Sequence, residues 1–280
     1  MSLFKSICRR GFGALVFAGL AAASLGAVAP AKAATPDEIK KNGVLKVGLL
    51  TDYPPFGGTD ANQQPAGYDA DVAALMAKSL GVKLELVPVT GPNRIPYLLT
   101  NKVDLLIATF GITPERQKQV LFSNPYSAMT IYVLAPKNVA VKSPEDLKSL
   151  NGISVARAST QDIAISAVAP QGTPLKRYDD DATTLQALIS GQVQAIGASN
   201  IVLAQINKDY PQLNIEPKIT LKEQANGMAF RKADTALAEY SNKFVAEIEA
   251  NGELSKINQK WFGTPLAKLP PMPKFEGEKW

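Results

Sequence analysis

The sequence predicts an α/β protein of two lobes, each a mainly parallel sheet flanked by helices, joined by a two-strand hinge. Three observations carry this. Short β-rich runs alternate with segments of helical period along most of the chain. The alternation restarts near residue 143, so the series occurs twice. No long flexible linker separates the two series, and the passages near 130–136 and 222–228 read as strand crossings, which suits a stiff two-segment hinge.

The first series begins with "VLKVGLL" (44–50), an apolar run that reads as a buried strand. "DADVAALMAKSLG" (69–81) reads as a helix: Tyr68, Val72, Leu75, Met76 and Leu80 form one apolar stripe, and Gly81 ends it. "VKLELVP" (82–88) is a strand, "PNRIPYLLTNK" (92–102) a short helix and "VDLLIAT" (103–109) a strand. Thr113-Pro114-Glu115-Arg116 reads as a helix start, with Thr113 at the N-cap and Pro114 at the first helical position. "MTIYVLAP" (129–136) is a long strand.

The second series runs through a helix at 143–150, a strand at 153–157 and a helix at 159–169. Segments 175–178, 181–190 and 193–198 continue the alternation. "NGMAF" (226–230) then reads as a strand, 233–254 as a long amphipathic helix and 255–263 as another. The Pro-rich tail from Thr264 is expected to lie extended over the surface. The expected division is residues 1–33 as a signal peptide, 34–132 with 226–280 as one discontinuous lobe, and 133–225 as the other.

The N-terminus carries the export signal. Lys5, Arg9 and Arg10 precede an apolar run, and Ala31-Lys32-Ala33 is a small-residue cleavage pattern, with the cut placed after Ala33. "CRRGFG" has a twin-arginine look, so the signal fits either export route. Cys8 precedes the apolar run and is not placed for lipid attachment. Removing residues 1–33 leaves 26 of the 30 Lys and Arg against 25 Asp and Glu. A chain so near neutrality makes no case for nucleic acid or a membrane surface. Residues 34–280 contain no cysteine and no histidine. That excludes a Ser-His-Asp triad, a Cys-His pair and a His- or Cys-ligated zinc. No metal or cofactor is expected.

Arg116 is the residue that asks for an explanation. A cation in the first turn of a helix is unfavourable by roughly 0.3–1 kcal/mol. Either it serves a structural ion pair, or it and the helix start together form an anion site, with Gly111 allowing close backbone approach. Ser159 is the N-cap of a second helix start, with Asp162 three residues on; this is either a plain capping box or the matching anion site of the other half. Tyr53 and Phe56, in the loop "TDYPPFGG", either pack locally or wall a ligand. Arg94, in "TGPNRIP", is either a solvated helix-start arginine or a second ligand contact.

The stretches "KVGLLTDYPPF", "GYDADVAALMAKSLG", "IATFGITPERQKQVLFSNPY" and "WFG" resemble the periplasmic polar-amino-acid-binding proteins of ABC importers, family 3 of the solute-binding proteins, over roughly residues 38–264. The resemblance implies the type II periplasmic-binding-protein fold, a periplasmic location, a monomer, an amino acid or related small carboxylate as ligand, an inner-membrane ABC permease as partner, and no catalysis. It implies that Arg116 clamps the ligand carboxylate and that Ser159 and Thr160 donate to it from the second lobe. Thr109 and Gly111 would contact the α-ammonium, and Tyr53 and Phe56 would line the side-chain pocket. Arg94 would lie near the side-chain end, as in members that bind acidic amino acids. Three positions depart from the family pattern. Ala158 stands where a Gly is usual, and Gly91 where an aromatic is common. Ser199, followed by Asn200, stands where an Asp takes the ammonium. Either Asn200 and backbone carbonyls replace that carboxylate, or the ligand lacks an ordinary α-ammonium. The rival reading is a periplasmic dehydratase of cyclohexadienyl or arogenate type on the same fold, which needs an acid or base in the crevice.

Overall fold

The computed structural model describes residues 33–275. The export signal read in residues 1–33 therefore lies, apart from Ala33, outside the described residues. The elements in chain order are α1 (Pro36–Asn42), β1 (Val44–Leu50), β2 (Gly58–Thr59), β3 (Pro65–Ala66), α2 (Tyr68–Leu80), β4 (Lys83–Val89), α3 (Arg94–Leu99), β5 (Leu105–Leu106), α4 (Pro114–Gln117), β6 (Val120–Phe122) and β7 (Ser127–Pro136). A 3₁₀ turn (Pro144–Ser149) leads to β8 (Ile153–Ala156), α5 (Thr160–Val168), β9 (Leu175–Tyr178), α6 (Asp181–Ile189), β10 (Ala195–Ser199) and α7 (Asn200–Asp209). A second 3₁₀ turn (Pro211–Leu213) precedes β11 (Ile215–Asn226), β12 (Ala229–Arg231), α8 (Thr235–Ala250) and α9 (Glu253–Phe262).

Two five-stranded sheets result, in the orders β4-β1-β5-β12-β6 and β11-β7-β10-β8-β9. In the first sheet β12 runs against its neighbours; in the second β7 does, and the other strands of each sheet share one direction. The parallel strands read as apolar runs because helices cover both faces. In the second sheet the alternation is explicit: Val133 and Ala135 enter one apolar layer with Ile153 and Val155, and Leu134 enters the other with Ile196 and Ile215. The chain leaves the first sheet after β6 and returns to it at β12. Those two passages lie side by side, with Ser123 N donating to Met228 O at 2.9 Å and Tyr126 N to Asn226 O at 3.0 Å.

Several expectations are corrected. The Thr113 helix is a single turn, α4, although Thr113 Oγ1 does accept from Arg116 N at 3.3 Å as an N-cap. A single turn aligns too few peptide dipoles to form a macrodipole. Segment 143–150 is a 3₁₀ turn, and the strand expected at 103–109 pairs only at Leu105–Leu106. The break between the last two helices falls at Gly252, whose φ of +81° suits glycine, and not at 254/255. α7 and most of β11 were absent from the expectation. Two of the family-like stretches meet in space: Asp71, at the start of α2, accepts from Lys260 Nζ and Trp261 Nε1 of α9, both at 2.7 Å.

Candidate functional site

Residues from both sheets meet across a narrow gap lined by Leu50, Tyr53, Arg94, Thr109, Met129, Ser159, Thr160, Gln161, Asp181 and Gln224, with free space of only ≈ 20 Å³. Arg116 is buried beside it. Its Nη1 donates to Gly111 O at 2.7 Å and, across the gap, to Thr160 Oγ1 at 3.0 Å. Its Nη2 donates to Ala158 O at 2.7 Å. The guanidinium carbon lies 4.3 Å from the centre of the Phe110 ring, and that of Arg94 lies 4.7 Å from the same ring. Among the described residues no carboxylate forms an ion pair with either arginine. Burial first, then the charge of Arg94, holds Arg116 well below the usual arginine range, and Glu115 opposes both. Burial first and then Arg116 lower Lys222 as well. Burial lowers Arg94 too, against the nearby charges of Asp181, Asp52 and Asp69, whereas Arg116 has only Glu115 acting in its favour.

Close approach is a matter of two glycines. A Cβ on Gly111 would stand 2.5 Å from Thr160 Oγ1 and 2.6 Å from Gln224 Cδ. A Cβ on Gly91 would stand 2.4 Å from the backbone oxygen of Arg157. An aromatic at position 91 has no room here, which gives that departure a physical reason. Ala158 has φ +59°, in the left-handed region that favours glycine. Its carbonyl is the one that Arg116 grips.

Thr109 lines the gap but its side chain is committed elsewhere. Its φ is +49°, and the strain is held by two bonds: Thr109 N donates to Tyr126 Oη at 3.2 Å, and Thr109 Oγ1 to Asp69 Oδ2 at 2.7 Å. Tyr126 Oη donates to Asp69 Oδ1 at 2.8 Å. Burial pushes the Asp69 carboxyl up to about 6 against these donors and Arg94. Tyr53 crosses the gap. Its Oη meets Ser199 Oγ at 2.8 Å and accepts from Gln161 Nε2 at 3.2 Å.

Of the ten residues singled out in the sequence, the structure brings together at this gap Tyr53, Arg94, Thr109, Gly111, Arg116, Ser159 and Thr160, with Ser199 behind Tyr53. It does not bring Phe56 or Asn200. Phe56 is in the core, with ring centres 4.9 Å from Phe262 and 5.5 Å from Tyr68. Asn200 turns away: its Oδ1 caps Thr130 N at 3.0 Å, and it lines surface cavities beside the C-terminal tail. Ser199 caps α7, accepting from Val202 N at 3.3 Å, so its hydroxyl is engaged twice.

Residues 45–264 match the model of the bacterial extracellular solute-binding proteins, family 3. The chain belongs to that family. This family 3 protein is 28% identical to the L-cystine-binding protein of Escherichia coli K12 over 83% of its own length and 87% of that protein's. The solved L-cysteine receptor of Neisseria gonorrhoeae is 32% identical, with a TM-score of 0.76 covering 81% of this chain and 93% of that one. An ancestral amino-acid-binding protein, described as a precursor of cyclohexadienyl dehydratase, is 34% identical, with a TM-score of 0.74 covering 82% of this chain and 100% of that one. The fold is thus the two-lobe type II periplasmic-binding-protein architecture, one lobe on each sheet.

Sequence reasoning missed five residues of this family 3 gap: the apolar Leu50 and Met129, and the polar Gln161, Asp181 and Gln224. Gln161 had a visible signal, being next to Thr160 at the start of α5. Asp181 reads as one acid among Asp179, Asp180 and Asp181, a helix-start pattern without distinction. Gln224 lies in the passage near 222–228 that reads as a strand crossing, with nothing in the sequence to mark its side chain for a ligand.

Proposed function

We propose that this protein is the solute-binding subunit of an ABC importer. It holds an amino acid or related small carboxylate between its lobes and delivers it to a membrane permease. The lobes divide near the two side-by-side passages, and the protein works as an exported, periplasmic monomer without catalysis. The observation that carries the reading is Arg116: a buried guanidinium without a carboxylate partner among the described residues, donating to both lobes at once. A buried unpaired charge costs several kcal/mol, and a ligand carboxylate entering between Arg116 and the start of α5 offsets that cost. Each charge-assisted hydrogen bond contributes ~1.5–3 kcal/mol. A few of them, net of ordering, reach the roughly −8 kcal/mol of micromolar affinity. Closure is driven only by contacts that the open form lacks, and Thr160 and Ala158 supply contacts of that kind.

The relatives are named for cystine, histidine, glutamine, arginine and glutamate/aspartate, which supports an amino acid here. The test is calorimetric titration with L-cystine, L-glutamine, L-arginine and L-glutamate, alongside mass spectrometry of the molecule that co-purifies. Micromolar or tighter binding of one amino acid is expected. No binding by any, with no co-purified carboxylate, contradicts the reading. One observation favours the dehydratase: Asp181, a carboxyl in the gap pushed up to about 7, is placed for acid–base work. Incubation with prephenate decides, since a binding subunit returns it unchanged.

A further inference from the structure

The gap carries charge of both signs. Arg94 lines it, with Arg116 beside it. Asp181 and Gln224 line the same gap. The Asp181 backbone N–H donates to Asp52 Oδ2 at 2.6 Å, which ties the two lobes together at that point. Its carboxylate, half-buried, accepts no hydrogen bond from any described residue. Gln224 is 3% exposed, and its Oε1 has no partner. Gln224 Nε2 donates to Asn226 Oδ1, and Asn226 Nδ2 donates to Ser127 Oγ at 2.9 Å. With the amide so placed, the atom left unmatched is an acceptor, Gln224 Oε1. A buried acceptor left unpaired costs about 1–3 kcal/mol. Carboxylate and amide oxygen together ask for a donor with several N–H groups and a positive charge.

That donor has to belong to the ligand. Ser199, at the end of β10, is held by Tyr53 and Val202, and Asn200 faces elsewhere. Past Tyr53 and Asp181 the gap opens into a cavity of ≈ 400 Å³ lined by Pro54, Leu185, Ile196, Ala198 and Val202 among others. We propose that Asp181, assisted by Gln224 Oε1, takes the α-ammonium of a zwitterionic ligand whose carboxylate is on the arginine side and whose side chain fills this cavity. The proposal rests on the interlobe binding reading above. It also resolves the alternative raised by Ser199: the ligand keeps an ordinary α-ammonium, and its counter-charge comes from the start of α6.

The charged and titratable groups that act on Asp181 are Asp52 from the loop after β1, Arg94 at the start of α3, Asp180 next to it in the chain and Tyr53 across the gap. Burial first, then Asp52, pushes the Asp181 carboxyl up to about 7, with Asp180 adding and Arg94 opposing. An ammonium binds the ionised form, so affinity rises with pH until Asp181 is fully charged. Between pH 6 and 8 the ionised fraction rises about tenfold.

The experiment titrates L-glutamine, L-arginine and L-cystine into the wild-type protein and Asp181→Asn, each beside its counterpart lacking the α-ammonium. Wild type is expected to prefer an amino acid over its counterpart by tenfold or more and to bind it about tenfold tighter at pH 8 than at pH 6. Asp181→Asn is expected to lose both the preference and the pH dependence, while binding the counterpart within about twofold of wild type. Gln224→Met, which keeps the shape without the acceptor, is expected to weaken the amino acid several-fold and not the counterpart; it decides the matter if Asp181→Asn does not fold. Retention of the preference in both variants overturns the proposal alone. Failure of wild type to bind any of the probes overturns the interlobe reading and this proposal with it.

Discussion

At Gly91 there is space for a hydrogen and nothing larger, because the backbone oxygen of Arg157 in the other lobe stands where a Cβ would be. Gly91→Ala is therefore expected to weaken ligand affinity tenfold or more while shifting the melting temperature by no more than a few degrees; calorimetry and a thermal melt check the two halves of that statement. Asp69 gives a pH prediction of definite sign. Its carboxyl is held near 6 in the fold, against about 3.9 in an unfolded chain. The folded state therefore binds the proton more tightly, and stability falls as pH rises from about 4 to about 6. For this fully buried group the loss is of order 3 kcal/mol. Urea unfolding at pH 4.5 and 7 should show the fall, and Asp69→Asn should remove this part of it while lowering stability by about 1–3 kcal/mol, since Thr109 and Tyr126 both donate to that position. Arg116 was legible from sequence because a cation looked misplaced in a first turn. The reason given was partly wrong: one turn of helix has little dipole, and burial is what makes the charge costly. Asp181 was not legible, because what distinguishes it from its two acidic neighbours is the cavity it faces, and that depends on the packing of α6 against the loop after β1.

The elements divide by what makes them. β1, α2 and β4 were readable because each has its own periodic pattern and stop signal, Gly81 among them. Most of β11 was not: its first half is largely half-exposed, and it is a strand because β7 pairs with it along ten residues of β7. That is a tertiary cause that local propensity does not contain. The expectation for the C-terminal tail was half right. Residues 264–275 form no helix or strand, but Leu266 and Leu269 pack on the core of the first lobe, and Asn258 Nδ2 holds Thr264 O at 2.8 Å. Removing the chain after Gly263 is expected to cost about 2 kcal/mol, read as a fall of about 4–8 °C in melting temperature. An unchanged melt would mean that the tail's contacts contribute nothing.

At the scale of the whole molecule, the two lobes meet through polar contacts that face one another across a nearly filled gap: Arg116 with Thr160 and Ala158, Tyr53 with Ser199 and Gln161, Asp52 with Asp181. Polar contacts of this kind exchange readily with water, so the closed arrangement needs the differential affinity of a ligand to dominate in solution. A ligand-dependent fall in radius of gyration by X-ray scattering is the expected signature, and a radius that does not change on saturation would contradict a closing mechanism. The central claim is that one unneutralised buried guanidinium holds the ligand carboxylate between the lobes. Its most direct test is calorimetry of Arg116→Ala with whichever amino acid the wild type binds. The account predicts loss of measurable binding in a variant that still melts cooperatively; affinity equal to that of the wild type would contradict it.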